Sequence, residues 1–91
     1  MNMAFENMAF ESIWANIVGC AGQEFETVTR LPFTYRIVGN AVVTSRTGQR
    51  LTRRMFERAA QIENLSGPGQ ISGSIRGSSY IYAILSDRRI R

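Results

Sequence analysis

Ninety-one residues at 44% hydrophobic content make one small domain, and no stretch comes near the ~18 consecutive apolar residues of a membrane span. Histidine is absent and Cys20 is the single cysteine, which excludes Ser–His–Asp and Cys–His nucleophile systems, a disulfide framework and any zinc-ligand spacing. All eleven basic residues are arginines, against seven acidic ones, for a net charge of +4.

That charge is unevenly laid out. Residues 1–26 carry Glu6, Glu11, Glu24 and Glu26 with no arginine, a net of −4, while residues 27–91 carry all eleven arginines against Glu57, Glu63 and Asp87, a net of +8. Such asymmetry implies an acidic partner for the basic part, or an acidic element of the chain folded back over it. Arginine suits bidentate recognition of phosphate and carboxylate better than lysine does. A GC-rich coding sequence accounts for the same bias.

The chain opens on NMAFE twice over, at Asn2–Glu6 and Asn7–Glu11. A single short duplication is no repeat architecture. With two glutamates and no basic n-region this start does not read as a signal peptide, and the expected location is a bacterial cytoplasm. From Phe10, the residues Phe10, Ile13, Trp14, Ile17 and Val18 recur at i, i+3, i+4, i+7 and i+8. They predict a helix with one apolar stripe, ended by Gly19 and laid over a sheet. Trp14 is expected in the core, and Cys20 as a small buried hydrophobe.

Glu24–Arg30, EFETVTR, reads as a first strand, broken at Leu31-Pro32 because proline lacks the donor a central strand needs. Glu24 and Glu26 alternate onto one face, as paired metal-ligating carboxylates do. No lysine or histidine joins them and Asp87 is the only aspartate, so no metal or other cofactor is expected. Phe33–Ser45 carries the clearest β signal, with Gly39-Asn40 as a two-residue turn between FTYRIV and AVVTS. This turn pairs Val38 with Ala41, Ile37 with Val42 and Tyr35 with Thr44. Phe33, Tyr35, Ile37 and Val42 then face the core, and Arg36 lies on the other side beside Thr34 and Val43.

Ser45–Ile62, SRTGQRLTRRMFERAAQI, holds Arg46, Arg50, Arg53, Arg54 and Arg58, and reads as a loop feeding an amphipathic helix at 52–63. Thr52 is the expected N-cap, with Leu51 and Phe56 placed as a hydrophobic staple across it. At helical pitch Met55, Phe56, Ala59, Ala60 and Ile62 gather on one side, and Arg53, Arg54, Glu57, Arg58 and Gln61 on the other. Arg53 and Arg54 oppose the macrodipole in the first turn, at roughly 0.3 kcal/mol each. An anion held there by free N–H groups, Thr52 and the arginines removes that conflict.

Leu65–Ser79 is a Gly/Ser-rich connector with a short edge strand expected at Ile71–Ile75, and it lacks the Lys-Ser/Thr of a phosphate loop. Tyr80–Leu85, YIYAIL, is apolar on every side and therefore buried. The preceding Gly-Ser pair favours a short helix over a strand, capped by Ser78 or Ser79 and ended at Asp87. Ile90 is the expected packing anchor of the basic tail. Together these segments predict one α+β domain over residues 1–91. It holds an N-terminal helix, a three-stranded antiparallel sheet with a tight hairpin and EFETVTR, a second amphipathic helix and a short buried C-terminal segment.

The runs EFETVTRLPFTYRIVGN and RGSSYIYAILSDRRI resemble small uncharacterised bacterial proteins of mobile gene arrays, over about a third of the chain. The resemblance implies no activity. Catalysis has few tools here, so the expected function is non-enzymatic. A basic helix face beside a hairpin contacts nucleic-acid phosphates through Arg46, Arg50, Arg53, Arg54 and Arg58, with Thr52 at an anion. Tyr35 and Tyr82 are candidates for stacking on bases, core packing being the plainer reading. Two other readings stay open. The face is simply solvated, with Glu57 paired to Arg53 and Arg54. Or it docks an acidic protein surface, as an interaction module or a homo-oligomer in which Glu6 and Glu11 of an N-terminal helix meet Arg53 and Arg58 of a neighbour.

Overall fold

The turn at Gly39-Asn40 sets the register on which the main sheet is built. The computed structural model describes residues 2–62 and 77–90, with side chains from residue 10 onward. In chain order the elements are α1 (Asn2–Gly19), β1 (Phe25–Glu26), β2 (Pro32–Phe33), β3 (Tyr35–Val38), β4 (Ala41–Thr44), β5 (Arg50–Thr52), α2 (Arg53–Ala60) and α3 (Ser78–Leu85). Strands β3, β4 and β5 form a three-stranded antiparallel sheet, and β1 with β2 a separate two-stranded one. The architecture is α+β, as expected from the sequence.

The hairpin pairs Tyr35 with Thr44, Arg36 with Val43, Ile37 with Val42 and Val38 with Ala41, the register the turn predicts. Of the two central residues only Gly39 has a positive φ, 61°, the sign pattern of a type II′ turn. Phe33, Tyr35 and Val42 are buried as expected, while Ile37 is half-buried against the core. All four residues of the central strand β4 are buried, the outward-facing Ala41 and Val43 as well as the core-facing Val42 and Thr44.

The third strand is not the one expected. EFETVTR contributes only Phe25 and Glu26, which pair with Phe33 and Pro32. Beyond them Thr27 closes a local turn. Its N–H donates to Leu31 O, its Oγ1 accepts from Leu31 N, and its carbonyl accepts from Arg30 N. Arg30 sits at φ 69° within this turn. Such side chain-to-backbone bonds compete with a ladder, and Pro32 has no N–H to extend one. The vacated position beside β4 is taken by β5, whose Thr52, Leu51 and Arg50 pair with Ala41, Val42 and Val43. Leu51 is buried opposite Val42, which is what draws this short stretch out of the loop expected there.

α1 starts well ahead of Phe10 and includes the NMAFE duplication. Phe10, Trp14 and Ile17 are buried, Ile13 packs half-buried against the core, and Val18 is exposed, so the stripe is narrower than its pattern. The Trp14 ring lies 6.5 Å from that of Phe10 and 6.0 Å from that of Phe56, which joins α1 to α2. Cys20 is half-buried rather than fully enclosed. Tyr35 donates its hydroxyl to Ile17 O, and burial pushes its phenol pKa well up, so this ring belongs to the core and not to a base-stacking surface.

The segment Tyr80–Leu85 is helical, with Ile81, Ala83, Ile84 and Leu85 buried. Its cap differs from expectation. Ser78 and Ser79 lie inside α3, and the N-cap is Gly77 at φ 92°, with no side-chain hydrogen bond. A Cβ at Gly77 would stand 2.7 Å from Leu51 Cδ2, in the buried heart of the core. The Ile71–Ile75 strand lies outside the described residues. After α3, Ile90 is fully buried and its carbonyl accepts from Asn16 Nδ2 at 2.9 Å, so the tail is anchored where expected.

Arg89 completes that anchor. It donates through Nε and its backbone N–H to Asp87 Oδ1, through its terminal nitrogens to Gln23 Oε1 and Glu24 O, and lies 4.0 Å over the Phe25 ring. The Arg89 guanidinium holds the Asp87 carboxyl below its ordinary 3.8.

Two outcomes are expected in urea unfolding. Gly77→Ala combines a disfavoured positive φ with the Leu51 clash, and is expected to lose about 1–3 kcal/mol. A carboxyl lowered in the folded state contributes stability above its unfolded pKa, and that contribution is lost as pH falls through the folded value. Asp87→Asn is therefore expected to cost about 0.5–1 kcal/mol at neutral pH. The gap to the parent chain should close as the pH drops below 3.8.

Candidate nucleic-acid interface

β5 runs directly into α2, so the arginines of the basic stretch divide between a strand and a helix. The helix begins at Arg53 because Thr52 caps it. At φ −74° and ψ 158°, Thr52 is extended, and its Oγ1 accepts from Met55 N at 3.3 Å. In return its own N–H points to Met55 Sδ at 3.3 Å, a capping box closed by sulfur where Glu or Gln is usual. Phe56 and Ala59 turn inward and Arg54, Arg58 and Gln61 outward, the two-sided arrangement read from the sequence.

The free N–H groups expected at this helix start are mostly occupied. Arg53 N–H donates to Asn40 O of the hairpin turn at 2.8 Å, and Met55 N–H goes to Thr52. The Arg54 N–H is the donor left over among these. Thr52 therefore serves the helix itself, and a carbonyl already supplies negative charge to the end where two arginines oppose the dipole.

Arg53 is set apart from its neighbours. Its guanidinium forms an ion pair with Glu11 of α1 and lies 5.5 Å from the Phe10 ring and 5.8 Å from that of Trp14. The acidic N-terminal segment does fold back onto the basic part, and among the described residues its one ion pair there is Glu11 with Arg53. The pairing of Glu57 with Arg53 and Arg54 is not made, and Glu57 has no ion pair among the described residues.

Arg54 and Arg58 are exposed, with no ion pair or hydrogen bond from their side chains among the described residues. With Asn40, Thr52, Arg53, Glu57 and Gln61 they line an open groove of about 760 Å³ between the hairpin turn and α2. Arg50 is exposed on β5, on the same side of the strand as Thr52, which reaches the groove. Arg46 stands apart, its Nε donating to Pro32 O at 2.9 Å. The structure thus places Arg53, Arg54 and Arg58 along the groove with Arg53 also tied to α1, leaves Arg50 exposed on the adjoining strand and holds Arg46 against β2.

Arg36 is a further exposed arginine, outside the stretch 46–58. Arg36 pairs with Val43, and Val43 pairs with Arg50, so Arg36 and Arg50 bracket Val43 on the outer side of the sheet. The hairpin alternation already placed Arg36 beside Val43. The missing signal was that residues 50–52 form the strand on the other side. Comparison with family models, with curated proteins and with solved structures finds no match to this chain.

The two kinds of arginine are expected to respond differently to truncation. Arg53→Ala removes an ion pair and two cation–π contacts and should cost about 1–2 kcal/mol in urea unfolding. Arg54→Ala should stay within about 0.5 kcal/mol of the parent chain.

Proposed function

We propose that this protein is a non-enzymatic nucleic-acid binder, contacting phosphates through Arg50, Arg54 and Arg58. The observation that carries the reading is the separation of charges on α2. Glu11 engages Arg53, while Arg54 and Arg58 line an open groove beside Arg50 with no acid paired to them among the described residues. Unpaired arginines on rigid elements fit phosphate recognition, since each contact releases condensed counterions and needs little reordering of the protein. No helix among the described residues is long and apolar enough to cross a membrane, so the basic face is not read as the flank of a spanning helix.

The same face suits an acidic protein surface, and the contact of Glu11 with Arg53 within the chain supports that second reading. Salt-sensitive self-association in sedimentation, with no retention of nucleic acid, would favour it.

The test is fluorescence anisotropy of labelled nucleic acid titrated at about 50 and 200 mM salt. Three phosphate contacts correspond to a loss of roughly 40-fold between those salts. Arg54→Glu with Arg58→Glu is expected to weaken binding at least tenfold with urea stability unchanged. Undiminished binding by that double variant would overturn the assignment, and no binding by the parent chain at the lower salt would overturn the function.

A further inference from the structure

Resting on that reading, we infer that the outer side of the three-stranded sheet is part of the binding face, with Arg36 and Arg50 as a cross-strand pair, and that the ligand is the phosphate backbone of a nucleic-acid duplex. The register carries the first part. Arg36 on β3 and Arg50 on β5 both stand opposite Val43 of the central strand, so all three side chains leave the sheet on one side, the two arginines exposed and Val43 buried between them. Two strand spacings separate the arginines by about 10 Å. Both are exposed and neither has an ion pair or hydrogen bond from its side chain among the described residues.

The neighbours of this pair carry the second part. By the same alternation Val38, Ala41 and Thr52 share the side with Arg36, Val43 and Arg50, and the Ser45 N–H bond to Thr34 O continues the pairing to Thr34 and Ser45. None of them is acidic and none is aromatic. A single strand bound without sequence preference is held by rings on which its bases stack, and the described residues of this face offer no ring for that purpose. A duplex backbone asks for cations and small polar groups at fixed positions. It also holds its phosphates in place before binding, so the arginines of a rigid sheet meet them without the ordering cost a flexible strand brings. Two guanidinium groups based about 10 Å apart reach phosphates on both sides of a minor groove about 6 Å wide. Arg54 and Arg58, one helical turn apart and joined to Arg50 through Thr52, continue the track along α2.

The experiment measures anisotropy with a labelled random-sequence DNA duplex of about 20 base pairs and with one of its strands, over about 50–200 mM salt. The proteins are the full chain, Arg36→Gln, Arg36→Lys, Arg50→Gln, the Arg54→Gln/Arg58→Gln double variant and Arg88→Gln, a change at an exposed arginine elsewhere. The parent is expected to bind the duplex at least about tenfold more tightly than the strand. Arg36→Gln and Arg50→Gln should each weaken duplex binding about 5–10-fold and reduce the salt slope by about 1. Arg36→Lys, which keeps the charge, should retain most of the affinity, and this separates a lost contact from a lost fold. Arg88→Gln should leave binding unchanged.

Unchanged duplex binding by Arg36→Gln, with the double variant weakened, would overturn the sheet-face inference and leave the α2 reading standing. So would a loss at Arg88 equal to that at Arg36, since net charge alone would then explain the effect. Equal or tighter binding of the single strand would overturn the duplex. No binding of either DNA by the parent would remove both this inference and the function beneath it.

Discussion

The pairing of β4 on both edges is the constraint from which the rest of the arrangement follows. Val42 lies between Ile37 and Leu51, so one register places three apolar side chains on the core side of the sheet. A slip of one residue in either pair would turn those side chains to the outside. With Leu51 fixed, Arg50 and Thr52 must face outward, and the chain must leave β5 at the point where Thr52 can cap α2. The hairpin turn closes the arrangement from the other end, because Asn40 O accepts the first N–H of that helix. Sheet and helix are thereby locked into one rigid body of basic side chains.

Charge is distributed over that body in two ways. Arg53 and Arg89 are built into the structure. One bridges α1 and α2 through Glu11 and two rings, and the other, held by Asp87, ties the turn after α3 to Gln23, Glu24 and Phe25. Each places its planar guanidinium over an aromatic face, which an ammonium on a flexible stem does less well. Arg36, Arg50, Arg54 and Arg58 carry no such partners among the described residues. Arg54 and Arg58 are also like charges one turn apart, a repulsion of about 0.2–0.5 kcal/mol that water screens and a polyanion would reverse.

The elements that were legible are those whose signal is local. The hairpin combined a two-residue turn with alternating apolar residues, and both specify the same pairing. The face of α2 and its Thr52 cap followed from helical pitch and one hydroxyl. The burial of Ile81, Ala83, Ile84, Leu85 and Ile90 followed from their apolar character, while Tyr80 and Tyr82 of the same run are half-buried. Where competing local bonds decided the outcome, the pattern misled. Thr27 bent EFETVTR into a turn after two ladder residues, and Gly77 with a positive φ took the cap that two serines were expected to supply.

The sequence by itself determined an α+β architecture with a hairpin at Gly39-Asn40, an amphipathic helix after Thr52 and an acidic start set against a basic remainder. Turn chemistry, periodicity and charge act over a few residues and are written in the order of the chain. Only the tertiary structure decided which strand completes the sheet, that Glu11 meets Arg53, and that Arg36 and Arg50 stand on either side of Val43. The physical reason is that these are contacts between distant segments. Three residues such as Arg50–Thr52 have no strand signal of their own and become a strand because Leu51 is buried against Val42.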